Sequence, residues 1–107
     1  MRDMSHTIQL GNTQVDETLL ASLCLQYQVR ELCVFGSAAR GDMRADSDID
    51  LLVEFMPGAE VDLMDYAGLM SELSRLIGRQ VDLVSKKGLK PLIRASVLNE
   101  ARLLYAA

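Results

Sequence analysis

Two short segments of the chain carry residues whose types and spacing suit phosphate and metal chemistry. The first reads Phe35-Gly36-Ser37-Ala38-Ala39-Arg40-Gly41, and the second reads Ser47-Asp48-Ile49-Asp50-Leu51-Leu52-Val53. In the first, a Gly-Ser pair closes an apolar run. In the second, two carboxylates flank one isoleucine at the start of another apolar run. Interpreted as strand, turn, helix and strand, these segments predict a phosphate-binding turn beside a metal site.

The Gly-Ser turn is predicted to bind an anion. Leu32–Phe35 is typical of a buried strand, Gly36 permits a sharp turn after it, and Ser37 is a favourable helix N-cap. The first backbone N–H groups of residues 38–40 would then point outward at the positive end of a helix, where phosphates bind. Arg40 lies one turn along, so its guanidinium is expected to bind the same phosphate.

The carboxylates are predicted to bind metal. Strand periodicity places Asp48 and Asp50 on one face, about 6–7 Å apart along the strand. Ionised carboxylates there repel each other unless a cation compensates them, and Mg²⁺ prefers such oxygen ligands. Because two-metal phosphoryl transfer needs a further ligand on the nucleophile's side, we assign that role to Asp82 in the apolar run Val81–Val84. The alternative for Asp82 is a strand-end residue that simply meets solvent.

The complete pattern resembles a known signature. Gly36-Ser37, ten intervening residues, Asp48-x-Asp50 and a later strand aspartate, Asp82, resemble the catalytic signature of the DNA polymerase beta-type nucleotidyltransferase superfamily. The fuller string, GSxxRG followed by SDxDLLV, resembles the smallest members, the minimal nucleotidyltransferases (MNT proteins). The resemblance runs from about Glu31 to Tyr105.

The resemblance implies how the chain would hold its donor substrate, a nucleoside triphosphate. Gly36 and Ser37 would bind the β- and γ-phosphates, with support from Arg40. A small α/β nucleotidyltransferase fold is implied as well, with a short mixed sheet of about three strands packed with about four helices.

The resemblance also implies a two-metal reaction. Asp48 and Asp50 would bind two Mg²⁺ ions, while Asp82 would bind the ion beside the acceptor and help take the proton of the acceptor hydroxyl. That hydroxyl would attack the α-phosphorus in line and release pyrophosphate.

Composition limits the architecture and the compartment. The 107 residues, half of them hydrophobic, are expected to form a single domain over 1–107, with residues 1–11 as a flexible N-terminus. No apolar run approaches the roughly 20 residues of a membrane helix, and the first residues do not form a signal peptide, so we expect a cytoplasmic protein without membrane contact. Cys24 and Cys33 are interpreted as small buried hydrophobes in a reducing compartment.

The charge balance bears on the acceptor. Fifteen acidic and eleven basic residues give a net charge of −4, whereas enzymes that act on nucleic acid need basic surface to neutralise phosphates. Nucleic acid is therefore disfavoured as a partner. The basic cluster Lys86–Lys90 is interpreted as a solvated loop, with contact to a triphosphate or a partner as the alternative.

The remaining elements follow from periodicity and from helix-terminating residues. A helix is expected from about residues 12–16 to Gln28, a long helix from Asp62 to Gly78, and a last helix from Pro91 through Tyr105. Strands are expected at 31–35, 48–55 and 81–84, and a short helix at Ser37. Met64 and Met70 are interpreted as core residues, Asp42 and Asp46 as solvated turn residues, and His6 as a terminal residue without a catalytic role.

The function predicted from the family is transfer of AMP from ATP to a protein. Minimal nucleotidyltransferases are typically paired with HEPN-domain ribonuclease toxins as antitoxins, and some adenylylate a toxin tyrosine, which implies a hetero-oligomer. Two alternatives stay open at this point. One is a non-catalytic antitoxin of the same fold that acts by binding, and the other is a small-molecule transferase of the antibiotic-modifying type.

Overall fold

The computed structural model describes residues 7–10, 13–41, 44 and 47–107. Strand β1 (Thr7–Leu10) pairs with strand β2 (Thr13–Asp16) in an antiparallel hairpin. Leu10 and Val15 of this hairpin are fully buried, so residues 7–10, which we expected in a flexible N-terminus over residues 1–11, form a strand that packs against the core. The polar sequence of the hairpin does not predict this burial. His6, Asp42 and Asp46 lie outside the described residues.

The hairpin leads into helix α1 (Glu17–Gln26), where Asp16 is the N-cap and accepts a hydrogen bond from Leu19 N. Strand β3 (Val29–Phe35) follows, then helix α2 (Ser37–Arg40), strand β4 (Ile49–Phe55) and helix α3 (Leu63–Ile77). Strand β5 (Val81–Ser85), helix α4 (Pro91–Glu100) and strand β6 (Arg102–Ala106) complete the order. This confirms the mixed α/β class and, over the described residues, its four helices. The N-cap of α1, Asp16, lies within the predicted start at residues 12–16, and the helix ends at Gln26 rather than at the predicted Gln28.

The main sheet has four strands in the order β5-β4-β3-β6, one more than the predicted three. Strand β3 is antiparallel to both neighbours, and β4 is parallel to β5. The additional strand, β6, was predicted as the end of the last helix. Ala101 leaves the helix with extended backbone angles, and Leu104 is buried on the sheet. Pairing with the open edge of β3 therefore overrides the helical pattern of these residues.

Helix α3 begins and ends as predicted. Asp62 and Asp65 form a reciprocal capping box at its start, and Gly78 ends it with a φ of 77°. The helix buries Leu69, Leu73 and Ile77, whereas Met64, which we predicted in the core, is 83% exposed. Met70 does pack against the core.

One hydrophobic core joins the sheet to α1, α2, α3 and the hairpin, and α4 contributes no buried residue to it. In α1 it takes Leu20 and Cys24, whereas Leu19, which we predicted to be on the buried face, is 55% exposed. Burial raises the pKa of the Cys24 thiol to about 12, and burial is also the main cause of the raised pKa of Cys33. Both cysteines are free thiols, so the structure supports their interpretation as packing residues.

The basic cluster is only partly a solvated loop. Lys86 opens a short 3₁₀ turn (Lys86–Gly88), and its Nζ lies 3.3 Å from Glu31 Oε1 and 3.5 Å from Glu54 Oε1. Lys86 therefore ties the turn after β5 to β3 and β4, while Lys87 is exposed. Among the described helices, none is both long and apolar enough to cross a membrane.

Candidate active site

The predicted carboxylates meet where β4 and β5 begin and β3 ends. In the parallel register of β4 and β5, Asp50 is the direct partner of Asp82, and across the antiparallel register of β3 and β4 it is the partner of Phe35. Asp48 is exposed and immediately precedes β4. The sheet thus places all three aspartates next to the Gly-Ser turn, which follows Phe35.

Gly36 is required at this turn for two reasons. Its φ of 73° lies in the left-handed region that L side chains rarely adopt. A Cβ at this position would also lie 2.3 Å from Asp50 Oδ2, so any side chain would displace that carboxylate. The Gly-Ser turn and the first predicted metal ligand of β4 are therefore in close contact, as the two-segment motif predicts.

The short helix α2 differs from the prediction in its N-terminal details. Gly36 occupies the N-cap position and Ser37 is the first helical residue, without a side-chain cap bond. The backbone N–H groups of Ala39 and Arg40 both donate to Gly36 O at 3.1 Å. These two N–H groups donate within the chain, so fewer backbone donors are left to bind an anion at this turn than we predicted.

Burial and nearby negative charge together disfavour the ionised form of Asp50. Burial is the largest cause of a raised Asp50 pKa, followed by the charges of Asp82 and Asp48, while Arg40 acts in the opposite direction. The ionised form of Asp50 is thus disfavoured unless positive charge is supplied. This repulsion is the property that a bound cation would remove.

The donor set suits Mg²⁺, although the side chains do not form a closed ligand cluster. In the described part of the chain, no group of three or more His, Cys, Asp or Glu side chains is arranged to hold a metal ion. Asp48, Asp50 and Asp82 nevertheless supply hard oxygen donors in one region and repel each other there. Their role as metal ligands stays a prediction.

Sequence reasoning missed Glu100, the last residue of α4. Its Oε1 accepts a hydrogen bond from Gly36 N at 2.8 Å, and its Oε2 lies 3.0 Å from Arg40 Nη1. One carboxylate therefore joins two residues of the predicted phosphate site. No sequence signal identifies this contact, because Glu100 lies 64 positions from Gly36 and ends an ordinary helix.

Arg79 is a second residue that the sequence did not indicate. Its Nη2 donates to the Arg44 carbonyl at 3.0 Å and also to the Ser47 carbonyl. Ser47 Oγ in turn accepts from Arg44 N at 2.9 Å. Arg79, which precedes β5, thus links that strand to the segment that leads to Asp48.

Tyr66 of α3 contacts the backbone of β5 at the residue after Asp82. Its hydroxyl donates to the Leu83 carbonyl, and its ring lies 6.4 Å, centroid to centroid, from the ring of Phe55. Burial and the charge of Asp82 raise the Tyr66 pKa, so this hydroxyl stays protonated beside the site. Its contact with the backbone next to Asp82 helps to fix the start of β5.

Comparison with known proteins shows the family to which the chain is similar. Residues 17–104 match the nucleotidyltransferase domain family. Over 77 residues the chain is 43% identical to the protein adenylyltransferase MntA of Thermococcus cleftensis, covering 70% of this chain and 74% of that protein.

Two solved structures share the fold. One, described as a candidate minimal nucleotidyltransferase, is 45% identical with a TM-score of 0.69, covering 80% of this chain and 86% of its own. The other is a complex of a tri-AMPylated HEPN toxin with an MNT antitoxin from Shewanella oneidensis, with 19% identity, a TM-score of 0.61, and 85% and 70% coverage. The second likeness is one of fold alone. The chain belongs to the nucleotidyltransferase family, and within it to the minimal nucleotidyltransferases related to MntA.

Proposed function

We propose that this protein transfers AMP from ATP to a hydroxyl group of a partner protein. The observation that carries the proposal is the register that pairs Asp50 with Asp82 while Gly36 contacts Asp50. This arrangement brings the predicted phosphate site and two predicted metal ligands together at one end of the sheet. Membership of a family that includes a protein adenylyltransferase supports AMP as the group transferred.

Each residue has a defined task in this proposal. Gly36, Ser37 and Arg40 bind the phosphates of ATP, and Asp82 accepts the proton of the attacking hydroxyl. Asp48, Asp50 and Asp82 are the side chains that would hold two Mg²⁺ ions. When bound, these ions neutralise the carboxylates and stabilise negative charge on the phosphates.

The proposed acceptor is a tyrosine of a HEPN-domain toxin, with this protein as its antitoxin in the cytoplasm. The related fold from Shewanella oneidensis is found in a complex whose HEPN toxin is AMPylated, which supports both the partner and the modification. The two proteins would form a hetero-oligomer during transfer. The net charge of −4 agrees with a protein acceptor better than with nucleic acid.

The test is an AMP-transfer assay with ATP labelled in its AMP portion, Mg²⁺ and a HEPN-domain protein as the proposed acceptor. We expect the label on a toxin tyrosine, located by mass spectrometry. Asp82→Asn should bind ATP within a few fold of wild type and lower transfer by at least about a hundredfold, because the lost group acts in the transition state. Glu60→Gln, an exposed change away from the site, is the matched control.

A second arm separates catalysis from binding. If transfer is the mechanism, Asp48→Ala with Asp50→Ala should abolish neutralisation of the toxin in cells at normal levels of both proteins. Full neutralisation by the double variant would instead establish a binding antitoxin. Label found only on small-molecule hydroxyls would contradict a protein acceptor.

A further inference from the structure

The carboxylate of Glu100 occupies a central position in the predicted phosphate site. One oxygen accepts from the backbone N–H of Gly36 at 2.8 Å, and the other pairs with the Arg40 guanidinium at 3.0 Å. The Glu100 side chain is 27% exposed, and that of Arg40 is 51% exposed. A partly buried carboxylate with charged and backbone partners is more strongly held than an isolated surface ion pair.

The topology explains why this contact controls the turn. Strand β3 lies between β4 and β6, and Glu100 comes just before β6, so it reaches Gly36 from the β6 side. Asp50 contacts the α-carbon of Gly36 from the β4 side. The left-handed glycine is therefore held between two carboxylates, one by a hydrogen bond and the other by close packing.

We propose that Glu100 is a positioning residue for nucleotide binding, which fixes the Gly36–Ser37 turn and orients the Arg40 guanidinium. The inference rests on the proposed function, because it assigns the turn and Arg40 to the phosphates of ATP. Glu100 itself does not touch the nucleotide. It orders the turn and the guanidinium before binding, so that less ordering remains to be done when the phosphates arrive.

The geometry favours positioning over a purely structural role. A residue that only anchored α4 to the sheet would need one partner there, whereas Glu100 joins both a backbone donor of the turn and the side chain one helical turn later. It thereby sets the turn and the guanidinium relative to each other. Loss of Glu100 should therefore reduce the free energy of triphosphate binding more than it reduces the free energy of unfolding.

The test measures binding of α,β-methylene-ATP, which cannot be cleaved at the reacting bond, in Mg²⁺ by calorimetry. Glu100→Ala should raise Kd about tenfold or more, the size expected for losing a charge-assisted hydrogen bond. Glu100→Gln keeps an oxygen for Gly36 N but removes the charge beside Arg40, and should raise Kd by a smaller factor. Glu72→Ala, at an exposed position of α3, is the matched control and should leave Kd unchanged.

A double-mutant cycle tests whether Glu100 acts through Arg40. Arg40→Ala combined with Glu100→Ala should raise Kd by less than the product of the two single effects. In transfer assays with the HEPN protein, Glu100→Ala should raise the KM for ATP while kcat changes less than about threefold, a division that a general loss of folding would not produce. Glu100→Gln supplies the same measurements if the alanine variant does not fold.

The outcomes are distinguishable from failure of the proposed function. If wild type does not bind the Mg²⁺·nucleotide complex, the proposed function fails before Glu100 is tested. If wild type binds and the Glu100 variants bind within twofold of it, the positioning role is wrong. Tighter binding by the variants also overturns it, since Glu100 would then compete with the phosphates for Gly36 and Arg40.

Discussion

Gly36 combines backbone conformation with close packing against Asp50. Gly36→Ala places a Cβ 2.3 Å from Asp50 Oδ2 at a φ of 73°, so both the backbone and the carboxylate must move. We expect the free energy of unfolding to fall by more than about 2 kcal/mol, because a φ of 73° with a ψ of −151° strains an L residue by about 1–3 kcal/mol before the contact with Asp50 is counted. Urea denaturation measures the change, and binding of Mg²⁺·ATP should be lost with it.

Gly58→Ala is the control that separates the two contributions. Gly58 has a φ of 81°, and nothing lies within 4 Å of its Cβ position. Its substitution should cost only its own conformational strain, about 1–2 kcal/mol. Equal losses at Gly36 and Gly58 would show that contact with Asp50 adds nothing.

Asp50 is a predicted metal ligand whose charge lowers the stability of the metal-free fold. Burial and repulsion by Asp82 and Asp48 disfavour its ionised form, as its raised pKa indicates. Asp50→Asn should therefore increase the free energy of unfolding at neutral pH in the presence of a chelator, because the amide removes one of the repelling charges.

The Asp50 prediction is checked by urea denaturation with chelator and again with Mg²⁺. Wild type should gain stability from Mg²⁺, and the variant should gain less, since it has lost a predicted ligand. The exposed change Glu60→Gln should respond to Mg²⁺ as wild type does. A variant less stable than wild type in chelator would mean that hydrogen bonds to Asp50 outweigh repulsion.

Among the elements, α1 is followed two residues after its end by a residue in an unfavourable conformation. Gln28 has a φ of 59°, and within the described residues it is the one non-glycine residue with a positive φ. Gln28→Gly should stabilise the protein by about 0.5–1 kcal/mol, because glycine adopts the left-handed conformation without the Cβ penalty.

The matched control for Gln28 lies two residues earlier. Gln26 is the last residue of α1, and Gln26→Gly introduces the same change in a helical conformation. It should not stabilise the protein, since glycine lowers helix propensity. Unfolding midpoints in urea for both variants decide the matter, and a gain at Gln26 as large as that at Gln28 would contradict the explanation.

Element prediction succeeded where the signals were local. Helix α3 lies between Asp62 and Gly78 as predicted, because a capping box and a left-handed glycine act within a few residues. The start of β4 and the short helix after Gly36 are likewise set by neighbouring residues. The predicted site residues Gly36, Asp50 and Asp82 lie at predicted strand ends, and the register of β3, β4 and β5 brings those ends together.

Prediction failed where a distant partner decides the conformation. Strand β6 reads as a continuation of the last helix, but it is a strand because the edge of β3 is available for pairing. The exposure of Met64 follows from how far α3 is covered by the hairpin and α1, which periodicity alone does not determine. Glu100 and Arg79 act through hydrogen bonds that cross between elements, and no spacing rule indicates them.

For the whole molecule, net negative charge makes nucleotide binding dependent on cations. A triphosphate must approach a protein of charge −4 at a site where three aspartates lie close together. We expect ATP with Mg²⁺ to raise Tm, since a ligand at a hundred times its Kd stabilises the folded state by about 2.7 kcal/mol. ATP with a chelator should leave Tm unchanged.

Thermal unfolding with ATP, Mg²⁺ alone and both together checks this prediction. The increase with both should exceed the sum of the two separate increases, because metal and nucleotide bind cooperatively at one site. Asp48→Ala with Asp50→Ala should remove the additional increase. The same increase with ATP in chelator would place the nucleotide away from the aspartates.

The hydrogen bond from Gly36 to Glu100 also has a consequence for folding kinetics. It joins residues 64 positions apart, whereas the β3–β4 pairing joins strands that are neighbours in the sequence. Contacts of long sequence separation form late, because much of the chain must be ordered before they are made. On this argument the pairing of β3, β4 and β5, with Asp50 opposite Asp82, precedes the docking of α4. The aspartates are then in register before the phosphate turn has its anchor, so the ability to bind nucleotide should be acquired only in the last step of folding.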